Sequence, residues 1–310
     1  MSTNEERREA AKRKLEERLE AERQQAHRRR VVIGSVSGVV VLAVLVTAGF
    51  FSYRAWDNSR HVTCDYQAAP VEADKVLAAV QEQVKSVEPN QKQAADEYLA
   101  EFTEGLKKLR TSHKPDDRVL KEGDAQLQLA TNKGDVTIKL DRSKAPCNVN
   151  AMISLANDGY YDGATCNRLM MQQGLGLLMC GDPTGTGAGG PGWNSPDETP
   201  DFLETVPADP QMAQLGLAQE NAKYPRGTVV IANNNNEQSG TTDTGNANFY
   251  IVTADTELPP SMSVVGSVDE AGMKIVDEVV KGGTQRTAGG TEQAGRPNVD
   301  LTITKTSVSD

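Results

Sequence analysis

The spacing of apolar and polar residues changes several times along this chain of 310 residues. Residues 5–30 are charged on every side of a potential helix, which is typical of a helix surrounded by water. Residues 31–51 then contain no charged side chain. Because a helix needs about 20 apolar residues to cross the bilayer core, this run predicts a transmembrane helix over residues 31–53.

Two apolar stripes at helical spacing follow this run. The first contains Val76, Val80, Val84 and Val87, and the second contains Ala95, Leu99, Phe102, Leu106 and Leu109. Pro89 lies between the stripes and interrupts the helical pattern. The pattern predicts a hairpin of two amphipathic helices with a linker over residues 62–117. Each stripe has to be buried against the other helix, against the following domain or against a protein partner.

From about residue 124 the apolar residues recur at every second position, as in half-buried antiparallel strands. The strand-like segments are QLQLAT, DVTIKL, GTVVIA, NFYIVT and LTITKT. Helical patterns fit residues 148–157 and 269–280, each with a glycine just beyond its end. Many short strands with glycine-rich turns and two helices predict a mainly β domain, a barrel or a sandwich, over residues 124–310.

The whole chain is acidic, with a net charge of −10 and a sequence pI near 5.0. It lacks the basic face that a nucleic-acid partner requires, so we expect no nucleic acid. Three arginines at residues 28–30 adjoin the apolar run. The positive-inside rule then predicts a charged cytoplasmic helical tail at residues 1–30, a single pass through membrane lipid and an extracytoplasmic remainder. A cleaved signal peptide is the alternative, although its apolar region is usually only ~7–15 residues long.

Four cysteines, Cys64, Cys147, Cys166 and Cys180, all follow the apolar run. An even number of cysteines in an oxidising compartment favours one or two disulfide bonds, and buried free thiols are the alternative. The spacing does not choose among the three pairings, and no C-x-x-C motif indicates a zinc ribbon.

The segment GDPTGTGAGGPG at residues 181–192 contains Gly185, Gly187 and Gly190 at the G-x-G-x-x-G spacing of dinucleotide sites. Such a site requires a helix directly after the glycines, because the helix N-terminus faces the pyrophosphate. Prolines at 191 and 196 stand where that helix would begin, and the lysine of a Walker loop is missing. We therefore predict a surface loop whose glycines adopt positive φ and pass close to a ligand or to backbone.

Seven segments, in a consistent order, resemble the cyclophilin-type peptidyl-prolyl isomerases. They are GDVTIKLDRSKAPCNVNAMISLANDGYYDG, CNRL, CGDPTGTGAGGPG, GTVVIAN, NFYIV, LPPSMSVVG and MKIVDEVV, and the resemblance covers roughly residues 126–308. More narrowly, the chain resembles the membrane-anchored cyclophilins of high-GC Gram-positive bacteria. The resemblance implies a closed antiparallel eight-stranded β-barrel capped by two helices, preceded here by the transmembrane helix and the helical hairpin.

The resemblance also implies a prolyl isomerase that acts on proline-containing polypeptides and assists the folding of exported proteins. Rotation about a peptide bond has a barrier of ~18–20 kcal/mol, because the nitrogen lone pair is conjugated with the carbonyl. A protein lowers this barrier with a pocket for the proline ring and a donor to the nitrogen of the twisted bond. No cofactor and no metal are therefore expected.

The family motif F-H-R corresponds to Cys166-Asn167-Arg168, so the resemblance implies that Arg168 is the catalytic donor to the prolyl nitrogen. The alternative is an ordinary surface arginine in an ion pair. Tyr250 corresponds to the aromatic floor of the proline pocket, and a plain core aromatic is its alternative. The other residues that the resemblance implies in substrate binding are Leu177, Met179, Gly187, Ala232, Asn233, Asn248, Leu258 and Met262.

Several positions depart from the family pattern, among them Met262, where the family has a histidine. The phenylalanine that walls the proline pocket corresponds to Gly176, and the glutamine that orients the arginine corresponds to Met179. A smaller wall buries less of the proline, at ~25 cal/mol per Å², and an arginine without a partner must be ordered at each turnover. We therefore predict a weakened isomerase, with a catalytically inactive binding or scaffold protein of the cell envelope as the alternative.

Overall fold

The computed structural model describes residues 4–207, 220–236, 238–285 and 293–309. The chain divides into two compact units, Met1–Ser59 and Arg60–Asp310. The described residues of the first unit belong to one helix, α1 (Asn4–Arg60), in which no proline interrupts the charged or the apolar run. Across the described residues, no helix combines the length and the apolar character needed to cross a membrane, so the predicted transmembrane helix at residues 31–53 is not confirmed.

The second unit begins with the segment in which the sequence predicts a hairpin. Its elements are β1 (His61–Thr63), β2 (Gln67–Ala69), α2 (Ala73–Lys85), a 3₁₀ turn (Pro89–Gln91), α3 (Lys92–Leu106) and β3 (Arg118–Leu120). The buried side of α3 carries Ala95, Phe102 and Gly105. A Cβ atom at Gly105 would lie 2.5 Å from the carbonyl oxygen of Thr184, so α3 packs directly on the glycine-rich loop. A protein partner for the hairpin remains a prediction.

Both ends of the hairpin are tied to the rest of the unit. Before the hairpin, Cys64 forms a disulfide bond with Cys147, and β2 pairs with β8 (Gly192–Asn194). After the hairpin, the guanidinium of Arg110 donates to the backbone oxygen of Asp162 at 2.6 Å, and β3 pairs with β1. The position of the hairpin is therefore set by covalent and hydrogen-bonded links on both sides.

The rest of the unit is built on an antiparallel sheet of nine strands. In sheet order they are β15 (Ala294–Gly295), β6 (Arg168–Gln172), β7 (Leu175–Cys180), β12 (Phe249–Ala254), β11 (Thr228–Ile231), β14 (Val264–Val268), β5 (Gly134–Asp141), β4 (Asp124–Thr131) and β16 (Ile303–Ser309). The sequence predicts two helices in this region, and the structure confirms both as α4 (Pro146–Asn157) and α5 (Glu270–Gly282).

The sheet curls into a half-barrel, and the predicted closed barrel of eight strands is not confirmed. The edges of the described sheet are β15, which has only two residues, and β16. Near β16, Cys166 donates its backbone N–H to Leu301, and Ile303 donates to Ala164. These bonds form an isolated bridge and not a continuous strand ladder, so the two ends of the sheet meet at only a few residues.

A second, three-stranded sheet is absent from the sequence-based prediction. Its order is β13 (Thr256–Leu258), β10 (Asn221–Tyr224) and β9 (Glu204–Val206). Strands of three or four residues are too short to show a clear period of two, which explains why the pattern did not reveal them. The side chain of Tyr224 is buried there and donates to the carbonyl oxygen of Pro259 at 3.2 Å.

All four cysteines form disulfide bonds, Cys64 with Cys147 and Cys166 with Cys180. This settles the pairing that the sequence left open. The second bond ties the segment that enters β6 to the last residue of β7. It therefore fixes the two strands that carry Arg168 and Met179.

Candidate active site

Four side chains form a row across neighbouring strands of the main sheet. Arg168 on β6 lies opposite Met179 on β7, Met179 lies opposite Tyr250 on β12, and Tyr250 lies opposite Val230 on β11. Neighbouring strands are about 4.8 Å apart, so directly opposed side chains are within contact distance of each other. The sheet therefore brings together three of the residues that the sequence predicts in the site.

Alternation along each strand decides which residues face this row. Leu178, Phe249 and Ile251 belong to the main core between the sheet and its helices. Their chain neighbours Leu177 and Tyr250 belong to a separate apolar cluster. Because successive side chains point to opposite faces of a strand, the row with Arg168 lies on the outer face of the half-barrel.

The separate cluster, which we call the outer cluster, contains four predicted site residues, namely Leu177, Tyr250, Leu258 and Met262. Its fully buried members are Leu177, Ala222, Tyr224, Val230, Val252 and Val264, and its partly buried members are Met170, Leu175, Leu203, Tyr250, Leu258 and Met262. Tyr250, Leu258 and Met262 remain partly accessible. The outer cluster thus offers an apolar surface. Its fully buried members support this surface, and its partly buried members remain accessible to a ligand.

Arg168 lies at the edge of the outer cluster, and its side chain is exposed. Within the described part of the chain, its guanidinium has no hydrogen-bond or ion-pair partner, so the alternative of a surface ion pair is not observed there. Burial raises the pKa of Tyr250 and of Tyr98, and the nearby charge of Arg168 partly offsets both shifts. The charge of Arg168 therefore acts on the phenol groups of both tyrosines.

Met179 occupies the position opposite Arg168 and is buried. A thioether sulfur is only a weak hydrogen-bond acceptor, so Met179 cannot hold the guanidinium as an amide oxygen would. Its Cε atom lies 3.1 Å from the place where a side chain at Gly187 would begin, and Gly187 has a φ of +80°. Only glycine satisfies both the backbone angle and this close approach, which places Gly187 at the border of the site.

The glycine-rich loop is organised around a buried carboxylate. Asp182 accepts hydrogen bonds from the backbone N–H groups of Thr184 at 2.8 Å, Gly187 at 2.6 Å and Gly189 at 3.3 Å. In a phosphate-binding loop such N–H groups point at the ligand. Here the protein's own carboxylate occupies them.

The stretch after β11 lies at the other end of the site. Ala232 donates its N–H to the carbonyl oxygen of Asn248 at 2.9 Å, and Asn233 donates from Nδ2 to the carbonyl oxygen of Ser261 at 2.6 Å. The side chain of Asn248 is buried, and its Oδ1 atom has no partner within the described residues. These bonds connect Ala232, Asn233 and Asn248 to the segment that carries Met262.

No side chain can stand at Gly176. A Cβ atom there would lie 2.8 Å from the backbone nitrogen of Ala254 and 2.8 Å from Oγ1 of Thr253. At Gly176, strands β7 and β12 therefore approach each other closely.

Five residues of this region escaped sequence reasoning: Met170, Leu175, Ala222, Tyr224 and Tyr98. Alternation along β6 could have indicated Met170, which lies on the same face as Arg168. Ala222 and Tyr224 come from the small sheet, which has no clear periodic signal. Tyr98 comes from the helical hairpin, outside the segments that resemble a known family.

The family model described as cyclophilin type peptidyl-prolyl cis-trans isomerase/CLD matches residues 126–308. The chain therefore belongs to the cyclophilin-type peptidyl-prolyl isomerase family. The matched region contains all ten residues that the sequence analysis assigns to the site.

Two mycobacterial relatives carry the name probable peptidyl-prolyl cis-trans isomerase B. The chain is 31% identical over 312 residues to the one from Mycobacterium leprae (strain TN), and the alignment covers 98% of both proteins. It is 35% identical over 178 residues to the one from Mycobacterium tuberculosis (strain ATCC 25618 / H37Rv), with 57% of this chain and 52% of that protein covered. The latter match thus spans about half the length of the Mycobacterium tuberculosis protein.

Among solved structures, the chain is similar to a cyclophilin type peptidyl-prolyl cis-trans isomerase of Cryptosporidium parvum. The two share 19% sequence identity with a TM-score of 0.43, and the match covers 61% of this chain and 99% of the other. A similarity at this level supports no conclusion about the site.

Replacing Arg168 with alanine is expected to raise the pKa of Tyr250 and of Tyr98 further, because each phenolate loses a neighbouring cation. Tyrosine ¹³Cζ NMR during a pH titration measures this shift. Tyr66 is the internal control, since burial is the main cause that raises its pKa to about 12 and Arg168 does not contribute. An unchanged titration of Tyr250 would show that the guanidinium does not lie beside it.

Proposed function

We propose that this chain is a prolyl isomerase whose active site is the outer face of β6, β7, β11 and β12. The observation that carries the proposal is the position of Arg168, a guanidinium without a described partner at the edge of a partly open apolar cluster. X-Pro bonds populate both isomers and exchange in tens of seconds or longer without catalysis. A site that combines an apolar surface with one strong donor suits this reaction.

The prolyl ring packs on the partly accessible side chains of Tyr250, Leu258 and Met262, with Tyr250 as the floor. Arg168 then donates to the prolyl nitrogen. The lone pair of this nitrogen becomes a good acceptor only when the bond twists and conjugation with the carbonyl is lost. Because the hydrogen bond forms in the twisted state, it lowers the barrier and does not merely strengthen substrate binding.

The peptide backbone beside the proline runs along the stretch of Ala232 and Asn233. The carbonyl oxygen of Asn248 accepts from the N–H of Ala232 and holds this stretch in place. Gly187 borders the groove and leaves space because it has no side chain. The substrate is therefore an extended polypeptide around a proline.

The activity of this site is weaker than that of a site with an oriented arginine. Met179, which lies opposite Arg168, offers no strong acceptor that would hold the guanidinium in place. Each turnover then has to order a flexible side chain, which reduces the gain from the hydrogen bond.

Arg168→Ala is expected to reduce kcat/KM for a proline tetrapeptide roughly 10- to 100-fold, because one transition-state donor is lost. NMR exchange spectroscopy on the full chain measures the interconversion without a coupled protease. Arg142→Ala, in the turn after β5, is the control and should retain the parent rate. Equal rates for Arg168→Ala and the parent would remove Arg168 from catalysis.

Met179→Gln is expected to raise kcat/KM several-fold, because an amide oxygen opposite Arg168 can accept from the guanidinium and orient it. The same exchange experiment measures the rate. Met179→Leu, which has no hydrogen-bonding group, should give no such gain. A gain in Met179→Leu as large as in Met179→Gln would contradict the orienting role.

One observation favours a second function, the binding of proline-containing polypeptides without turnover. Within the described residues nothing orients Arg168, and an unoriented donor contributes little to the twisted state. Such a binding or scaffold protein would show peptide-induced NMR shifts around Tyr250 with no acceleration of exchange. The exchange rate measured with the parent chain in the Arg168 experiment therefore distinguishes an isomerase from a binding protein without turnover.

We also propose that residues 31–51 anchor the chain in a membrane and that the isomerase domain is extracytoplasmic, where it assists the folding of exported proteins. The absence of charge over residues 31–51 and the three arginines before them support this topology. The pairing of all four cysteines fits an oxidising compartment.

A protease added outside spheroplasts is expected to digest the region beyond residue 52 and to leave residues 1–30 intact, because the bilayer shields the cytoplasmic side. Epitope tags at the two termini, followed by immunoblotting, report which end is cut. The C-terminal tag should be lost and the N-terminal tag retained. Protection of both tags would contradict the topology.

A further inference from the structure

Helix α3 of the hairpin runs along the edge of the site. Glu101 forms an ion pair with Arg296 at 3.5 Å. Gly105 packs on the glycine-rich loop, where a Cβ atom would lie 2.6 Å from Cγ2 of Thr186. Residues three, four and seven positions apart share one face of a helix, so Tyr98 lies on the face that carries Glu101 and Gly105.

The register of the sheet places this face beside Arg168. In the antiparallel pair of β15 and β6, Ala294 lies opposite Met170 and Gly295 lies opposite Leu169. Arg296 directly follows Gly295, so it lies beside the end of β6 that begins with Arg168. Since Glu101 binds Arg296, Tyr98, which lies one helical turn earlier, reaches the neighbourhood of Arg168. The effect of the Arg168 charge on the Tyr98 phenol is consistent with this placement.

The ring of Tyr98 is supported on one side and open on the other. It contacts the buried ring of Phe102, with 5.8 Å between the ring centroids, and 40% of Tyr98 remains exposed. Arg168 is exposed as well, so α3 flanks the groove without filling it. Among the described residues of the second unit, Tyr98 and Phe202 are the two exposed large aromatic side chains.

We propose that Tyr98 is a specificity-determining residue that contacts the substrate side chain next to the proline and favours an aromatic or large apolar group there. This inference rests on the proposed isomerase function. It adds Tyr98 of the hairpin to the residues that line the same groove. An aromatic substrate side chain gains by covering the open face of the Tyr98 ring, because such pairs are more favourable than their buried area alone predicts.

The test compares proline tetrapeptides that differ only in a Phe or an Ala next to the proline, on either side of it. KM and kcat are measured by NMR exchange on the full chain. Tyr98→Ala is expected to raise KM for the Phe peptides roughly 3- to 10-fold, with little change in kcat and in the KM of the Ala peptides. Tyr98→Phe retains the ring and should restore the selectivity. If Tyr98→Ala changes the KM of all peptides equally, or changes the KM of no peptide, the proposal is overturned.

Phe202→Ala is the matched control, because Phe202 is an equally exposed aromatic residue that lies against Lys144 outside the site. Its removal should leave the preference for Phe peptides intact, and a loss equal to that of Tyr98→Ala would overturn the proposal. Tyr98→Gln, a second helix-compatible variant, replaces Tyr98→Ala if the latter does not fold, and the same outcomes apply to it.

A failure of the proposed isomerase function can be distinguished from a failure of the Tyr98 proposal. If the parent chain accelerates exchange in none of the peptides, the dissociation constants of the same peptides are measured from their NMR shift titrations. Weaker binding of the Phe peptides alone in Tyr98→Ala supports the role of Tyr98 in a binding site without turnover. Unchanged or uniformly changed dissociation constants overturn it.

Discussion

Strands β7, β11 and β12 are apolar on both faces, and the rest of the second unit follows from this constraint. One face fills the main core with residues such as Leu178 and Ile251. The other face carries the outer cluster, which water would surround if nothing covered it. The small sheet of β9, β10 and β13 covers part of that cluster with Ala222 and Tyr224. The uncovered remainder, around Tyr250, is the surface that we assign to the proline.

The border of this surface depends on two buried supports. Asp182 holds the glycine-rich loop from within, and the loop in turn supports α3 through its contact with Gly105. The disulfide bond between Cys64 and Cys147 and the backbone contacts of Arg110 fix the hairpin on both sides. The hairpin thereby packs against the loop that borders the proposed site, although it lies outside the matched family region.

The sequence indicated the fold where the signal is local and repeated. Alternation and ordered motifs located the main strands, the two helices and the residues in the row of Arg168, Met179 and Tyr250. The closed barrel is not confirmed, and closure depends on edge strands such as β15, whose two residues leave no pattern in the sequence. Gly176 could not be interpreted from sequence, since the need for glycine there arises from the approach of Thr253 and its neighbour across the sheet. The sequence did not indicate Tyr98, because the position of α3 depends on the packing of Gly105 and the ion pair of Glu101.

The most direct test of this account is a crystal structure of the full chain with a proline-containing peptide. We expect the prolyl ring on Tyr250, between Leu258 and Met262, with the guanidinium of Arg168 within hydrogen-bonding distance of the prolyl nitrogen. A peptide bound elsewhere on the sheet, or a proline more than one residue away from Arg168, would contradict the assignment of the outer face as the active site.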